Sequence, residues 1–593
     1  MRHCLFILVI TSSSYSYSQS STNFANPFKA MLNSYYEEYI KLNPTVASAR
    51  GDYRYNDQLE NPISQPYRDQ SKSLYSRYLD SLKSYSFQQL SSRDQLSYQI
   101  FQYDLARSIT ALKHKSYLTP VSQMFDFRIS FGLMGAGSSI HPFKSVKDYD
   151  DFLKRINGFV AWTDSAINNM KEGIALNIVQ PQILMEKVVP QLEAMVVDTI
   201  SKSIFYKPII NMPVAFSPQD KQRLTESYTT AIKEQLFPAY TRLLTFIKHE
   251  YLPKARSTIA ITAVPGGKEE YAFLVKSWTT TDITPDQVFD LGKNEVARIR
   301  KELEDIKQKA GFKGDLKAFY TYLSTDPKFT PFKKDEEVVA AFHKIYDSIK
   351  PHLSEQFNTT PKTAFEIRPI EKYRAATTAA NYMTGTPDGS RPGVFYFPVV
   401  DATKYNYWTM EDLFLHEAIP GHHYQLSLQT ENADIPGIQK IGRYGAYVEG
   451  WGLYAESLGK DLGLYKDPFM QIGQLQGEMH RAIRLVVDAG MHSNGWTREQ
   501  AIQYSLANEP ITEAAAISEI ERYISMPGQA LSYKIGELKI KEMRNNAKKA
   551  LGKKFDVRAF HNEVLKDGAM PLQIFEMKMK RWITSQMTKD NKG

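Results

Sequence analysis

Apolar residues recur through most of the chain at the three-to-four spacing of a helix that buries one face. Five of them mark an early helix: Ile100, Phe101, Leu105, Ile109 and Leu112. A later helix is marked at both ends. Thr284 fits the N-cap position and Gln287 completes a capping box, while Pro285 fits the first helical position and Gly311 fits the stop. The pattern predicts a chain that is mainly α-helical.

Strand-like segments are few. The best candidate is the aromatic and branched run GVFYFPVV, from Gly393 to Val400, which turn-forming residues flank on both sides. Two placements fit this run. It is either an edge strand that pairs with an extended peptide, or a plain buried strand.

The segment 257–268, which contains the sequence PGG, is the best candidate for a domain boundary. The predicted boundary separates an N-terminal helical half at 21–260 from a C-terminal half at 261–593. A signal peptide is predicted at 1–20, ahead of both halves. A loop inside one large domain would have the same composition, so both organisations stay open.

The start of the chain, MRHCLFILVITSSSYSYSQS, predicts a secretory signal. A basic pair precedes a short apolar run, and a polar stretch of small residues follows. The apolar run is too short to span a bilayer. Cys4 is the only cysteine and lies too early for lipid attachment, so the mature chain would have neither disulfides nor cysteine ligands. We expect a soluble protein without a membrane span, exported to the periplasm or secreted.

Charge gives little support for nucleic-acid binding. The formal net charge is +8, but it is spread along the chain without a dense Lys/Arg block. The 36 Tyr and 31 Phe residues are dispersed, with no basic stripe between them. We therefore expect no nucleic-acid partner.

Three of the twelve histidines lie within eight positions, in the segment LFLHEAIPGHHYQ: His416, His422 and His423. His416-Glu417 begins like the zinc motif His-Glu-x-x-His, but Pro420 stands where the second histidine belongs. Residues four apart on a helix lie about 6 Å apart along the axis and can bind one zinc. Residues six or seven apart, separated by about 9 to 10.5 Å, cannot do so from a regular helix.

Pro420 and Gly421 offer a mechanical solution. Proline removes the amide that would bond to the carbonyl of His416 and clashes with that carbonyl. Glycine permits the backbone angles that a bulge needs. Extra residues then loop out and bring either His422 or His423 back to the metal. The motif is stretched rather than destroyed.

The third ligand is expected in YGAYVEGWGLYAESLG. Glu449 and Glu456 lie seven apart, on one face of a predicted helix. Glu449 is the better ligand candidate, and Glu456 is placed to accept a hydrogen bond from a histidine N–H. Three protein ligands leave one position open for water, as in catalytic zinc sites. We therefore predict one zinc ion per chain.

Several motifs together resemble the bacterial family known as domain of unknown function 885: HEAIPGHH, YVEGWGLYAE, RAIRLVVDAGMHSNGWTREQAI and RYISMPGQALSYKIG. Upstream, WTTTDITPDQVFDLGKNEVARI and RPGVFYFPVVD also fit its pattern, so the resemblance covers essentially the whole mature chain. That family resembles a divergent branch of the gluzincin metallopeptidases, near the thimet-type oligopeptidases. The resemblance implies a large helical, two-lobed, zincin-like metallopeptidase body with a small β element beside the metal helix.

The oligopeptidases carry His-Glu-x-Gly-His and a later Phe-Val-Glu. Matching the Gly-His pair makes His422 the second ligand, and matching YVE makes Glu449 the third. The same resemblance makes Glu417 the general base. The chain departs from the oligopeptidases at Pro420, which leaves the choice between His422 and His423 open.

Peptide hydrolysis also needs a donor to the tetrahedral oxyanion besides the metal. In ERYISMPGQALSYKIG the candidates are Tyr523 and Tyr533, and the resemblance favours Tyr533. The alternative for each tyrosine is a position in the core.

Two further residues are candidates for contacts around the metal or with substrate. His492 lies four positions after Asp488, which could orient it on a helix, although a structural histidine is the alternative. Arg522 is a candidate to bind a peptide carboxylate, as are Arg481 and Arg484. The alternative for these arginines is pairing with local acids.

The predicted function is an exported zinc metallopeptidase acting on short peptides. A zinc hydrolase of a non-peptide amide or ester would use the same groups. A non-catalytic protein that binds peptide or metal at a degenerate site is the alternative of a different class. The presence of Glu417 argues against this alternative, because a protein without turnover does not need a general base.

Overall fold

The computed structural model describes residues 26–375, 379–386, 389, 391–442 and 444–588. Within them the chain is mainly helical and contains a small sheet, which confirms the predicted mainly α class. The predicted signal lies outside the described residues. No helix in the described part combines the length and apolarity that crossing a membrane requires.

The helices before the sheet are α1 (Pro27–Leu42), α2 (Pro44–Ala49), α3 (Gln65–Leu82), α4 (Ser92–Ala111), α5 (Phe127–Gly135), α6 (Val146–Ala175), α7 (Gln182–Glu193), α8 (Lys207–Ile210), α9 (Pro218–Ala231), α10 (Phe237–Phe246), α11 (Gly267–Thr279), α12 (Pro285–Lys309), α13 (Leu316–Thr325), α14 (Asp335–Ile349) and α15 (Leu353–Gln356). The sheet region contains β1 (Phe365–Pro369), α16 (Lys372–Ala375), β2 (Asn381–Met383) and β3 (Gly393–Phe397).

The helices after the sheet are α17 (Met410–Glu417), α18 (His422–Glu431), α19 (Gly437–Ile441), α20 (Gly445–Glu456), α21 (Pro468–His492), α22 (Arg498–Asn508), α23 (Glu513–Ser525), α24 (Ser532–Leu551), α25 (Val557–Leu565) and α26 (Leu572–Thr588).

Helix α12 has the ends that the sequence predicts. The Thr284 side chain accepts a hydrogen bond from the N–H of Gln287, and the Gln287 side chain accepts one from the N–H of Thr284 at 3.0 Å. Gly311, just beyond the helix, has the left-handed φ of 76° that favours glycine. The predicted capping box and stop are confirmed.

The predicted strand is the centre of the sheet. β3 pairs in parallel with β1 and antiparallel with β2, with Gly393 opposite Phe365. Because both sides of β3 are hydrogen bonded, the placement as an edge strand that pairs with substrate is wrong, and the alternative of a plain buried strand is confirmed. The strand also ends at Phe397 rather than Val400, since Pro398 has no N–H with which to continue the ladder.

Buried apolar side chains form four clusters in the described part of the chain. One of them gathers side chains between Val121 and Tyr251. The clusters do not separate at residue 260, because Ile100 belongs to the same cluster as Trp451, and Leu184 to the same cluster as Met479. The division into two halves therefore stays a prediction.

Helices α20 and α24 approach closely along a row of glycines. A Cβ on Gly450 would lie 2.5 Å from the backbone of Gly536, and a Cβ on Gly536 would lie 1.7 Å from the carbonyl oxygen of Ala446. Only glycine permits this approach. Helix α17 packs against α20 and α21, so the α20–α24 pair and α21 together hold α17 in place.

Candidate metal centre

The histidines of the HEAIPGHH segment lie on two helices. Helix α17 ends at Glu417, where the following Ala418 leaves the helical conformation with φ −106° and ψ −108°. The Ile419–Pro420 peptide bond is cis. Helix α18 then begins at His422. The motif predicted a bulge that loops out extra residues within one helix, whereas in the structure one helix ends and another begins.

Gly421 is essential to this break. A Cβ at Gly421 would lie 1.9 Å from the carbonyl oxygen of His416, so no other residue fits without movement of the backbone. The indole N–H of Trp451, on α20, donates to the carbonyl oxygen of Pro420 at 2.9 Å and to that of Gly421 at 3.2 Å. These bonds satisfy the carbonyls of the break and fix it against α20.

The break brings His416, His422 and Glu449 together. One donor atom from each lies within 4.8 Å of the other two. The Oε2 of Glu449 is 3.6 Å from Nε2 of His416 and 3.7 Å from Nε2 of His422. In the described part of the chain, no other group of histidine, cysteine and acidic side chains meets this criterion.

Glu456 and Gly452 hold the imidazole of His416. The Nδ1–H of His416 donates to Oε1 of Glu456 at 2.7 Å, and the Glu456 side chain is 1% exposed. This bond leaves Nε2 of His416 as the atom that faces Glu449. A Cβ on Gly452 would lie 2.8 Å from the imidazole, so glycine is needed where α20 passes the ring.

The local charges favour a cation. Burial alone would lower the pKa of His416, but its bonds to Glu449 and Glu456 raise that pKa to about 10. Burial raises the pKa of Glu449, but His416 and His422 more than offset this and leave it below the ordinary range. Without a metal, the imidazole of His416 therefore favours the form that is protonated on both nitrogens, each of which faces a carboxylate. A divalent cation would replace the proton on Nε2.

Glu417, the last residue of α17, is close enough to respond to the charges of the centre. Burial raises the pKa of its carboxyl, and the charge of Glu449 adds to the rise, whereas His416 and His422 lower it in part. A carboxylate with a raised pKa beside a group of potential metal ligands has the character of a general base.

Sequence reasoning missed a buried carboxyl behind Glu456. Asp412 is buried, and burial together with the charge of Glu456 raises its pKa well above the ordinary range. Arg481 also approaches Glu456, with its Nη2 4.0 Å from Oε1 of Glu456. The spacing in the sequence could have indicated this position, because Asp412 precedes His416 by four residues and so shares its face of the helix.

A family model described as "Bacterial protein of unknown function (DUF885)" matches residues 44–579. The chain belongs to the DUF885 family. The match contains all three residues of the centre, His416, His422 and Glu449. The comparison with curated proteins gives no match.

Solved structures share the fold of this DUF885 chain. A crystal structure of a protein from Colwellia psychrerythraea, described as a "putative lipoprotein", is similar with a TM-score of 0.86 and 26% identity, over 94% of this chain and 99% of that one. A second, described as a "putative lipoprotein of unknown function" from Shewanella oneidensis, is similar with a TM-score of 0.73 and 20% identity, over 94% and 100%. The second likeness shows the fold alone.

The structure places His423 outside the group of donor atoms. Its Nδ1 lies 2.8 Å from the hydroxyl of Tyr382 on β2 and 3.4 Å from the hydroxyl of Ser427. Its ring packs against Phe365 of β1. Burial lowers the pKa of His423 to about 4. In this DUF885 structure, His423 therefore links α18 to the small sheet.

The two candidate tyrosines have different environments. Tyr523 is buried, and its hydroxyl accepts from Nε of Arg484 at 2.9 Å and donates to Glu519. Tyr533 is partly exposed, and the guanidinium carbon of Arg484 lies 4.7 Å from the centre of its ring. The hydroxyl of Tyr523 is thus engaged inside the protein.

His492 and Arg522 also have protein partners. Nδ1 of His492 accepts from the N–H of Ile261 at 3.2 Å, and Nε2 donates to the carbonyl oxygen of Tyr523 at 3.1 Å. Asp488 does not orient His492 as expected. It accepts instead from the hydroxyl of Tyr271 at 2.7 Å.

Arg522 donates to Glu519 at 3.2 Å and to the side chain of Gln529 at 2.8 Å. It therefore joins the group of charged side chains around Glu519. The structure does not bring Arg522 or His492 into the group formed by His416, His422 and Glu449.

Proposed function

We propose that this protein is an exported zinc metallopeptidase that hydrolyses short peptides, with His416, His422 and Glu449 as ligands and Glu417 as general base. The observation that carries the proposal is the convergence of two imidazole nitrogens and one carboxylate oxygen next to Glu417, which is partly buried and senses the charges of all three residues. This is the ligand set of the zinc peptidases that keep one position open.

The donor distances fit a zinc ion. Zinc binds histidine nitrogen and carboxylate oxygen at about 2.0 to 2.2 Å, so two ligands on a tetrahedron lie about 3.4 Å apart. The Glu449 oxygen lies 3.6 and 3.7 Å from the two histidine nitrogens. Glu456, bonded to the far nitrogen of His416, matches the carboxylate that commonly orients a zinc-bound histidine.

When bound, zinc would polarise the scissile carbonyl and lower the pKa of a water molecule. The carboxylate of Glu417 accepts the proton of the attacking water and returns it to the leaving nitrogen. Burial raises the pKa of Glu417, which makes its carboxylate a better proton acceptor than an exposed one. Tyr533 is proposed as the donor to the oxyanion, because it is partly exposed and the hydroxyl of Tyr523 already has partners.

Two further parts of the proposal rest on resemblance. The order of motifs, His-Glu then Gly-His then Val-Glu, resembles that of the thimet-type gluzincins, and a mainly helical body agrees with it. Export rests on the sequence of residues 1–20 and on the description of two structural relatives as lipoproteins.

The test is turnover of a peptide mixture, read by mass spectrometry, by the purified wild type and by Glu417→Gln. The variant should bind zinc as the wild type does but lose at least ~2 orders of magnitude in turnover, the scale of general-base catalysis. Glu411→Gln on the same helix is the matched control. It should stay active, because the Glu411 carboxylate accepts the N–H of Tyr465 and does not belong to the group of proposed ligands. A fully active Glu417→Gln variant would exclude Glu417 as the base.

A further inference from the structure

Two segments of the chain, 127–147 and 199–219, contain no acidic residue. They lie together in the structure. A Cβ on Gly135 would lie 2.3 Å from the ring of Phe205, and one on Gly137 would lie 4.0 Å from the ring of Pro208. We refer to the outer surface of these two segments as the acid-free face.

A cleft of about 430 Å³ opens in the acid-free face. Lys144 comes from one segment and Lys207 from the other, and Ser139 and Asn211 line the cleft beside them. Both lysines are exposed, and neither has an ion-pair partner among the described residues. Two ammonium groups with a hydroxyl and an amide form a donor set suited to a phosphate group.

Two of the acidic residues close to the cleft in sequence are paired with basic side chains of their own. Asp150 pairs with Arg223 at 2.7 Å, and Asp151 pairs with Lys147. The Asp148 carboxylate accepts the N–H of Lys144 at 2.9 Å as part of the cap of α6. Asp148 offsets part of the charge of the two lysines, and the positive charge that remains is open to an external anion.

Large apolar side chains project from the same face. Val214 is 94% exposed, Ile210 is 64% exposed and Leu133 is 52% exposed. Val214 and Ile210 lie in the segment that carries Lys207. Exposed apolar side chains beside unpaired lysines are the combination that peripheral membrane proteins use at an anionic bilayer.

We propose that the acid-free face docks on a membrane surface rich in anionic phospholipid. Lys144 and Lys207 bind the lipid phosphates, while Ile210 and Val214 enter the headgroup region. The core of a protein interface is depleted of charged residues, whereas here the exposed apolar side chains lie in the same two segments as the unpaired lysines. The face shares no residue with the candidate metal centre, so the proposal does not depend on the proposed peptidase function.

Vesicle flotation with the full chain tests the proposal. The wild type should float with phosphatidylglycerol-containing vesicles, remain unbound with pure phosphatidylcholine, and be released by high salt. Lys144→Glu/Lys207→Glu should weaken binding at least roughly tenfold, since each lysine near an anionic surface is worth about a fivefold change in affinity. Ile210→Asp/Val214→Asp should weaken it as well.

Matched controls come from other exposed positions. Lys313→Glu/Lys333→Glu removes the same charge from another part of the chain, and Val400→Asp replaces an apolar side chain that is 62% exposed. Both controls should bind as the wild type does. Absence of flotation with anionic vesicles, or equal losses in test and control variants, would overturn the proposal. Binding that survives the Ile210→Asp/Val214→Asp change would also overturn it.

Discussion

The imidazole of His416 is the most constrained side chain of the candidate centre. Glu456 accepts its Nδ1–H, Gly452 lies close to the ring, and Glu449 faces its Nε2. The spacing of Glu449 and Glu456 indicated from the sequence that both would lie on one face of a helix. In the structure they approach opposite nitrogens of the same ring.

The environment of His492 predicts a dependence of stability on pH. Burial lowers the pKa of His492 to about 4 from an ordinary value of 6.5. The folded protein keeps the ring neutral, so its contribution is complete above pH 6.5 and is lost as pH falls towards 4. The free-energy advantage of wild type over His492→Gln should therefore shrink by on the order of 3 kcal/mol between pH 7 and pH 4.

Urea unfolding of both proteins at the two pH values measures this change, and other buried groups cancel in the difference. His343→Gln is the matched control, because His343 is exposed. A His492→Gln difference that stays constant with pH would show that the buried ring is not held neutral. Turnover by His492→Gln should stay near that of the wild type, because the ring bonds only to backbone groups.

At the residue scale, the sequence could predict which residue types meet but not which histidine completes the group. The choice between His422 and His423 depends on how the backbone turns between 418 and 421. The two histidines are neighbours in sequence, but the ring of His422 faces Glu449 and the ring of His423 faces Tyr382. Similarly, the pairing of Asp488 with Tyr271 depends on α11, a helix distant in sequence.

At the scale of elements, the centre depends on the break between α17 and α18. Local signals predicted the ends of α12 because capping involves neighbours in sequence. They could not predict that β3 is a central strand, since its partners depend on where β1 and β2 pack. They also could not distinguish a bulge from two separate helices at Pro420.

Gly421→Ala tests the importance of this break. The new Cβ would lie 1.9 Å from the carbonyl oxygen of His416, so the backbone must shift and move His422 with it. We expect a loss of roughly 1 to 3 kcal/mol in unfolding free energy, typical of overpacking, and weaker zinc binding. Thermal unfolding and zinc titration measure the two effects.

Gly132→Ala is the control for that experiment. Its Cβ would make ordinary contacts of 3.4 Å and 3.7 Å with the side chains of Ile204 and Met195. This variant should have unchanged zinc affinity. If Gly421→Ala also binds zinc normally, the geometry of the break does not control the centre.

At the scale of the whole molecule, the fold is shared over 94% of the chain with a protein only 26% identical to it. The helical periodicity predicted the mainly α class, because that pattern is local. The arrangement of the helices was not predictable in the same way, since it depends on distant contacts such as those of Ile100 and Leu184 with the C-terminal clusters.

The proposed peptidase should discriminate by substrate size. Of the three proposed ligands, Glu449 has the most exposed side chain, at 26%, against 5% for His416 and 10% for His422. A centre whose ligands are this little exposed admits an extended chain of a few residues, at about 3.3 Å each, more readily than a folded surface.

We therefore expect cleavage of peptides shorter than about 20 residues and negligible attack on folded proteins. A panel of synthetic peptides and a stably folded protein, each incubated with the zinc-loaded DUF885 protein, would measure this preference. Rapid internal cleavage of the folded protein, with the peptides intact, would contradict it.

The zinc content of the purified protein tests the central claim most directly. The wild type should carry about one zinc per chain, and His416→Ala, His422→Ala and Glu449→Ala should each lose it. His423→Ala is the matched control and should keep its zinc, because its Nδ1 lies against Tyr382 rather than Glu449. Normal zinc content in the first three variants, or loss of zinc only in His423→Ala, would contradict the proposed ligand set.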